Sequence, residues 1–230
     1  MPKNVKITTH FNPLDLFAPH SCQGCDHIGT VLCNRCKKYI LDNTPTICPK
    51  CKAVLPTHST DHPCRLGFPV YSIGERSGLL DQIIHAYKYD SIRALAMPLA
   101  ELLNAHLPED LAESSVIVPL PTATHHIRAR GFDHTLLLAK KLAHLRHVKI
   151  GQPLVRNKNT VQVGASKVSR LSQAASAYEI AHNAIINKET TYILLDDVWT
   201  TGASMTAAVQ KLRAAGAEHI IAAVLSISSQ

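Results

Sequence analysis

The run at 192–204 places an apolar segment directly before two carboxylates and a hydroxyl-rich turn; it reads YILLDDVWTTGAS. Four consecutive apolar residues at 192–195 predict a strand that is buried on both faces of a parallel sheet. Residues 203–215 are predicted to form the helix that follows. The turn between them therefore lies at the carboxyl end of the strand, where open α/β sheets bind their ligands.

The residues of this turn favour a phosphorylated ligand. The free N–H groups and the positive dipole end of a helix start attract phosphate, and Gly202 allows a close approach of the backbone. Asp196 and Asp197 repel phosphate but suit hydroxyl groups or a hydrated divalent cation. The alternative is an ordinary capped helix, which explains one hydroxyl residue but not the acid pair. The hydroxyl donors are Thr200, Thr201 and Ser204.

This pattern resembles the phosphoribosyl-pyrophosphate motif of type I phosphoribosyltransferases. The resemblance rests on four mostly apolar residues, two acids, and then small and hydroxyl residues. It implies that Asp196 and Asp197 hold the ribose hydroxyls. It also implies that the ribose 5-phosphate is wrapped by Thr200, Thr201, Gly202, Ala203 and Ser204.

The cysteine spacing predicts a metal site near the start of the sequence. Three Cys-x2-Cys pairs begin at positions 22, 33 and 48, and a single Cys64 follows. Two such pairs can place four thiolates around Zn²⁺, whereas a two-residue spacer suits a structural disulfide poorly. We assign the first zinc to Cys22, Cys25, Cys33 and Cys36.

A second zinc site is predicted from the third pair. Cys48, Cys51 and Cys64 supply three ligands, and the segment 58–64 must supply the fourth. Because imidazole is a commoner zinc ligand than carboxylate, His62 or His58 is favoured over Asp61. The alternative is that this second site is degenerate and holds no metal.

Composition sets the class of protein. The chain has 230 residues, 46% of them hydrophobic, and a net charge of +7 with histidine neutral, which suits anionic partners such as nucleotides or nucleic acid. Aromatic residues make up only 5%, which leaves few platforms for stacking bases. No apolar stretch is long enough for a signal peptide or a bilayer span, so we expect no membrane insertion. The many thiols predict a reduced, cytoplasmic protein.

The pattern along the chain predicts two domains. Residues 1–68 are rich in Cys, Pro and His and lack apolar periodicity, so they are predicted to form a small zinc-ribbon domain that depends on its metal. Residues 69–230 are predicted to form an α/β domain with a parallel sheet. Its helices are expected at 79–87, 92–103 with a kink at Pro98, 132–145 and 203–215, and its strands at 116–118, 192–195 and 220–225.

Two cationic segments are candidates for binding a pyrophosphate group. Arg128 and Arg130 follow a proline-stiffened turn at a predicted strand end, and guanidinium groups bind phosphate bidentately. The segment 156–170 carries cations without any acid, as a lid over the site would. Solvated arginines and a solvated linker are the alternatives. The lid cations are Arg156, Lys158, Lys167 and Arg170.

The chain as a whole resembles the ComF family, the competence-protein and GntX-like group that joins a zinc ribbon to a phosphoribosyltransferase domain. Pro-x-Pro at 119–121 and Arg-Gly-Phe at 130–132 match that family, whereas Asp133 and His134 replace its Asn and Gln. The family's loop pattern is met in part. Gln162, Arg170, Ala177 and Tyr178 align, Thr160 is one position off, and Gln173 stands for Asn.

The resemblance implies a role in DNA uptake during natural transformation. Single-stranded DNA or a nucleotide would be the ligand, and a helicase or another uptake protein would be the partner. The alternative is an active phosphoribosyltransferase that uses Mg²⁺ and phosphoribosyl pyrophosphate with an unknown acceptor. Purine-salvage relatives have Asp where this chain has Thr200, so the motif argues against 6-oxopurine salvage.

Overall fold

A computed structural model describes residues 21–55, 66–111, 114–157 and 177–229. Several residues singled out in the sequence lie outside these ranges, so their predicted roles are not addressed by the structure. They are His58, Asp61, His62, Cys64, Lys158, Thr160, Gln162, Lys167, Arg170 and Gln173.

A parallel five-stranded sheet forms the centre of the molecule, as the sequence predicts. Its strands are β1 (Val70–Glu75), β2 (Val116–Pro119), β3 (Lys149–Ile150), β6 (Thr191–Trp199) and β7 (His219–Ile227). They are ordered β1–β7–β6–β2–β3, and every neighbouring pair is parallel. The central strands are almost wholly apolar because helices cover both faces of the sheet.

Strand β6 is longer than the sequence analysis predicts. The apolar run at 192–195 suggests an end before the acids, but pairing with β7 continues through Asp196 to Trp199. Asp196 and Asp197 therefore lie within the last paired residues of β6 and not after the end of the strand. This matters for the site, because successive residues of a strand point to opposite faces of the sheet.

The helices of the α/β domain are α2 (Gly78–Lys88), α3 (Ala96–Asn104), α4 (Thr124–Arg130), α5 (His134–Arg146) and α6 (Ala203–Ala214). Helix α3 begins two residues before Pro98, after a 3₁₀ turn at Arg93–Leu95, so the predicted kink is wrong. Proline is tolerated there because the first turn of a helix needs no N–H donor. The helix predicted at 132–145 is confirmed as α5.

An antiparallel hairpin that the sequence analysis did not predict flanks the sheet. It pairs β4 (Leu154–Arg156) with β5 (Tyr178–Ile180). Both strands have only three residues, which is too short for a periodic apolar pattern to be recognised. The hairpin packs against α6 and β6 through the buried side chains of Leu154, Ala177 and Tyr178.

The cysteine-rich segment packs directly on the α/β domain. Its helix α1 is Asn34–Asn43, and the buried Leu32 and Ile40 belong to the same apolar cluster as α2 and α3. Lys37 on α1 also forms an ion pair with Glu101 on α3. The domain division at residue 68 remains a prediction, but the two parts share one core. Among the described residues, no helix has the length and apolarity needed to cross a bilayer.

Candidate functional site

The two acids of β6 are directed into different surroundings. Asp196 accepts a hydrogen bond from the backbone N–H of Asp197, at 2.8 Å, and its carboxylate lines a small cavity at the carboxyl edge of the sheet. Asp197 is turned to the other side of the strand and is buried. The sequence predicts that both acids act on the ligand together, but the strand geometry separates them.

Asp197 is compensated by two basic side chains. Its Oδ2 lies 2.6 Å from His134 Nε2 and 2.7 Å from Lys88 Nζ, and the three side chains are almost fully buried. Burial alone would raise the pKa of Asp197, but the His134 hydrogen bond and the charge of Lys88 together hold it well below its usual range. Asp197 therefore remains ionised and tied to the protein.

The position of His134 is fixed from three sides. The Tyr87 hydroxyl donates to the His134 backbone carbonyl at 2.6 Å, and Arg130 Nη1 lies 3.0 Å from His134 Nδ1. Because a guanidinium can only donate, Nδ1 accepts from Arg130, and Nε2 carries the proton that is donated to Asp197. The network therefore links helices α2, α4 and α5 to strand β6.

Among the residues that the structure describes, no cation forms an ion pair with Asp196, and the pKa of Asp196 is shifted in the opposite direction to that of Asp197. Burial, followed by repulsion from Asp197, raises the pKa of Asp196 to about 8. Lys88 opposes this shift only partly. A bound hydroxyl group or a hydrated cation would stabilise the ionised form of Asp196. Of the two acids, Asp196 is thus the one that lines the cavity, and its role in binding a ligand remains a prediction.

The hydroxyl-rich turn encloses the cavity beside Asp196. The cavity has a volume of about 50 Å³ and is lined by the side chains and backbone of residues 198–205, together with Asp196 and Val224. Its backbone leads into α6, a helix of 12 residues, whose first N–H groups have no intrahelical partner. The predicted phosphate-binding residues Thr200, Thr201, Gly202, Ala203 and Ser204 all line this one cavity.

Gly202 is required by the shape of the turn. Its φ is +73°, and a Cβ at this position would lie 2.1 Å from Cζ2 of the Trp199 ring. The Trp199 side chain is buried against Phe68 and lines the same cavity, and its indole Nε1 has no partner among the described residues. The glycine therefore serves the packing of Trp199 as well as the approach of the backbone to a ligand.

The β4–β5 hairpin covers one side of the turn. Tyr178 is buried, and burial, followed by the charge of Asp196, raises the pKa of its hydroxyl. Hydrogen bonding to Ser204 and the nearby guanidinium of Arg156 act in the opposite direction. Arg156 Cζ lies 5.8 Å from the Tyr178 ring centroid, so one cation of the predicted lid lies beside the tyrosine that contacts Ser204.

The two arginines predicted to grip pyrophosphate differ in position. Arg130 joins the network around His134, whereas Arg128 is exposed on α4 and has no contact with the acid pair among the described residues. Their role in binding phosphate remains a prediction. Lys158, Lys167 and Arg170, the other three cations of the predicted lid, lie outside the described residues.

The four cysteines predicted to bind the first zinc are brought together, close enough to hold a metal ion. The sulfur atoms of Cys22, Cys25, Cys33 and Cys36 all lie within 4.8 Å of one another. The backbone N–H of Cys33 points to Cys22 Sγ at 3.3 Å, as is expected around a metal-bound thiolate. One pair comes from a turn and the other from the start of α1, where Cys33 is the N-cap. These four residues would hold the metal.

The third cysteine pair has the same backbone geometry as the first. The bridge Ser21–Ile28 encloses Cys22 and Cys25, and the bridge Ile47–Val54 encloses Cys48 and Cys51 at equivalent positions. The residue after each pair, Asp26 or Lys52, has a positive φ near +60°. Cys48 and Cys51 are therefore arranged as a metal-binding turn, although the remaining predicted ligands, His62 and Cys64, are not described.

Sequence reasoning missed two parts of the site. Lys88 lies at the end of α2, far from the motif in sequence, and no local pattern distinguishes it from a solvated lysine. In the sequence, His134 differs from its neighbours only in departing from the ComF-family pattern, which has Gln at this position. The replacement of an amide by an imidazole is the signal that could have identified this residue. The neighbouring Asp133 accepts from the N–H of Leu136 and caps α5.

Comparisons with known proteins add the following. No protein-family model and no curated protein sequence matches the chain. Among solved structures, the allosteric regulatory enzyme of purine biosynthesis aligns at 15% identity and a TM-score of 0.43, over 61% of this chain. Glutamine phosphoribosylpyrophosphate amidotransferase from B. subtilis, complexed with ADP and GMP, aligns at 16% identity and a TM-score of 0.42, over 60%. The chain spans 30% of the length of each, and no assignment rests on these similarities.

Proposed function

We propose that the carboxyl edge of the sheet binds the ribose 5-phosphate part of a nucleotide-like ligand, in a phosphoribosyltransferase-like domain. The observation that carries this proposal is the cavity shared by Asp196 and the hydroxyl turn 200–204. An acid suited to hydroxyl groups and a helix start suited to phosphate face the same space. A sugar phosphate is the ligand class that presents both groups.

The domain is proposed to act in DNA uptake during natural transformation, with single-stranded DNA or a nucleotide as its ligand. The sequence resemblance to the ComF family and the net charge of +7 support this role. The cysteine-rich part would dock a helicase or another uptake protein in the cytoplasm. Exposed apolar side chains support a docking role for it, namely Ile28, Tyr39, Leu41 and Val54.

The second candidate function is phosphoribosyl transfer to an unidentified acceptor. The observation that favours it is Asp196, whose carboxylate forms no ion pair with a lysine or histidine within the described part of the chain, unlike Asp197. Mg²⁺ would bind at Asp196, through water, and would neutralise charge on a departing pyrophosphate. The chain itself would orient the ribose through Asp196, hold the 5-phosphate at the turn and exclude water with the hairpin that carries Tyr178.

A fluorescence titration tests the ribose-phosphate site. The chain contains a single tryptophan, Trp199, which lines the cavity, so its emission reports binding directly. We expect ribose 5-phosphate to change the emission in a saturable way, and we expect Asp196→Asn to weaken binding about 10-fold or more. Unaltered affinity in this variant would refute the site. Release of pyrophosphate from phosphoribosyl pyrophosphate and Mg²⁺, in the presence of candidate bases, separates transfer from binding alone.

A further inference from the structure

An exposed aromatic ring lies beside the buried acid network. Tyr89, directly after α2, is 56% exposed, and its neighbour Lys88 reaches both the ring and the acid site. Lys88 Nζ is 5.7 Å from the Tyr89 ring centroid and 2.7 Å from Asp197 Oδ2. Lys88 thus connects the ring to Asp197, which points to the opposite face of β6 from Asp196 and its cavity.

Basic side chains lie close to this ring. Arg130 Cζ lies 5.5 Å from the Tyr89 centroid, and the His85 ring centroid lies 4.9 Å away. Arg93, which stacks on Phe132, donates to the Gly131 carbonyl and joins the same surface. The only acid in the segments 85–93 and 124–131 is Asp90, whose Oδ2 lies 3.7 Å from His85 Nδ1. The surface is therefore an aromatic ring with the guanidinium groups of Arg130 and Arg93 beside it, while the charge of Lys88 is paired with Asp197.

Helix α4 extends the positive charge away from the ring. None of its residues is buried, and it carries the guanidinium groups of Arg128 and Arg130 without any acid, whereas partial desolvation lowers the pKa of His126 and disfavours its charged form. Arg93 adds a third guanidinium group at this end of α4, where it donates to the Gly131 carbonyl, and three guanidinium groups exceed what a single phosphate group needs. The charge therefore complements a polyanion that continues past the site rather than one small anion.

We propose that this surface binds single-stranded nucleic acid, with one base stacked on Tyr89 and the adjoining phosphates along α4. Every base has a π-face, so an exposed tyrosine binds bases without regard to sequence, and arginines beside the ring add cation–π attraction. The inference rests on the proposed nucleic-acid-binding function and specifies where the strand lies. The chain has few aromatic residues, but Tyr89 lies beside the arginines that would contact the phosphates of a nucleic-acid strand.

A pair of oligonucleotides separates stacking from charge. One is a labelled 15-mer of thymidylate, and the other is an abasic 15-mer with the same phosphates, each measured by fluorescence anisotropy. We expect Tyr89→Ala to weaken thymidylate binding about 10-fold, equal to about 1.4 kcal/mol, and to leave abasic binding unchanged. Tyr89→Phe should retain the wild-type affinity, because the ring remains. Tyr39→Ala is the matched control, since Tyr39 is also 56% exposed but lies on α1.

The outcomes distinguish the inference from the function on which it rests. If the wild type binds the 15-mer and Tyr89→Ala binds it equally well, or loses both oligonucleotides equally, the inference is wrong and the function stands. A wild type that binds neither oligonucleotide refutes nucleic-acid binding itself, and the inference with it. If thymidine monophosphate shows the same dependence on Tyr89 and the same affinity as the 15-mer, the occupant is a free nucleotide and the strand is excluded.

Discussion

Asp196 and Asp197 are neighbours in sequence with opposite electrostatic environments. Asp197 contacts a lysine and a histidine and stays ionised, whereas burial and the Asp197 charge keep Asp196 protonated near neutral pH. Two adjacent like charges in a buried place cannot both ionise without such compensation. The division of roles follows, with one acid holding the fold together at the site and the other available to a ligand.

Replacing Lys88 should reveal the structural role of this ion pair. In Lys88→Met, Asp197 keeps only His134 as a partner while remaining buried, and breaking a buried pair in this way costs about 3–5 kcal/mol. We expect a loss of that order in the free energy of unfolding, measured with denaturant at pH 7. Arg76→Met is the control, because the Arg76–Asp81 pair is far more exposed and should cost no more than about 1 kcal/mol. Equal losses of unfolding free energy in the two variants would mean that burying Asp197 does not increase the cost of removing its lysine partner.

The raised pKa of Asp196 predicts a pH dependence with a defined sign. The folded state holds this proton up to about pH 8, whereas an unfolded aspartate loses it near pH 4. The folded state therefore binds more protons across that interval, and its stability relative to the unfolded state falls as pH rises from about 4 to about 8. Asp196→Asn should remove this contribution.

Denaturation at several pH values tests this expectation. We expect Asp196→Asn to be more stable than the wild type at pH 9, with a difference that shrinks as pH falls and disappears below about pH 4. In the wild type, ribose 5-phosphate should reduce the difference at pH 9 if its hydroxyls contact the ionised acid. A difference that is constant between pH 4 and pH 9 would show that Asp196 does not have a raised pKa.

At the scale of elements, the turn between β6 and α6 depends on one glycine. Gly202→Ala forces a Cβ into the Trp199 ring and an alanine into a left-handed conformation. The control Gly78→Ala has a positive φ of +51° but open space around the new methyl group. We expect about 1–2 kcal/mol of destabilisation in the control, a larger loss in Gly202→Ala, and a changed tryptophan emission only in the latter. Equal losses with unchanged emission would contradict the close packing of the turn.

The cysteine-rich part should depend on its metal, and its loss should reach the α/β domain. Cys36→Ser removes one of four ligands, and Leu32 and Ile40 beside it belong to the core that includes α2 and α3. We expect zinc content to fall by one equivalent and amide exchange to accelerate in α1 and in the faces of α2 and α3 that pack on it. Metal analysis and hydrogen exchange measure both. Wild-type protein without zinc would refute the assignment.

The second metal site is tested separately by Cys48→Ser. The matching turn geometry around Cys48 and Cys51 supports a second zinc, so this variant should lose one further equivalent while the first site stays filled. Cys64→Ser should give the same result, because Cys64 is the predicted third ligand. If both variants retain the wild-type zinc content, the alternative of a degenerate second site is correct.

What the sequence could predict follows from the range of the interactions. The apolar run at 192–195 and the turn 200–204 are contiguous, so the strand, the turn and helix α6 could be inferred from local patterns, as could the first cysteine cluster. The contacts of Lys88 with Asp197, across more than 100 positions, have no local pattern, and the short strands β4 and β5 have too few residues to show one. The predicted end of β6 at residue 195 was wrong because pairing with β7, and not the polarity of the residues, determines where the strand ends.

At the scale of the whole molecule, positive charge gathers at the carboxyl edge of the sheet. Lys88 contacts Asp197, Arg130 contacts His134, and α4 adds the exposed Arg128 along the same edge. By contrast Lys149 begins β3 at the opposite, amino edge, and Lys140 is exposed on α5. A net charge of +7 could attract polyanions to any surface, so contact must be separated from general attraction.

Salt dependence makes that separation. Removing two predicted lid cations, as Lys167→Ala with Arg170→Ala, should weaken single-stranded DNA binding if these side chains contact phosphates. The slope of log affinity against log salt should then flatten by about 0.7 for each lost contact. Lys140→Ala with Lys149→Ala is the control, because it removes the same net charge from other elements. We expect its slope to stay at the wild-type value.

If both pairs of substitutions flatten the slope equally, the lid makes no specific contact with DNA. If neither pair flattens it, the lid does not bind DNA. If neither pair flattens the slope, the role of the lid in binding pyrophosphate is tested next. That role predicts that Lys167→Ala with Arg170→Ala binds phosphoribosyl pyrophosphate more weakly and ribose 5-phosphate almost unchanged, because only the former extends beyond the turn at 200–204.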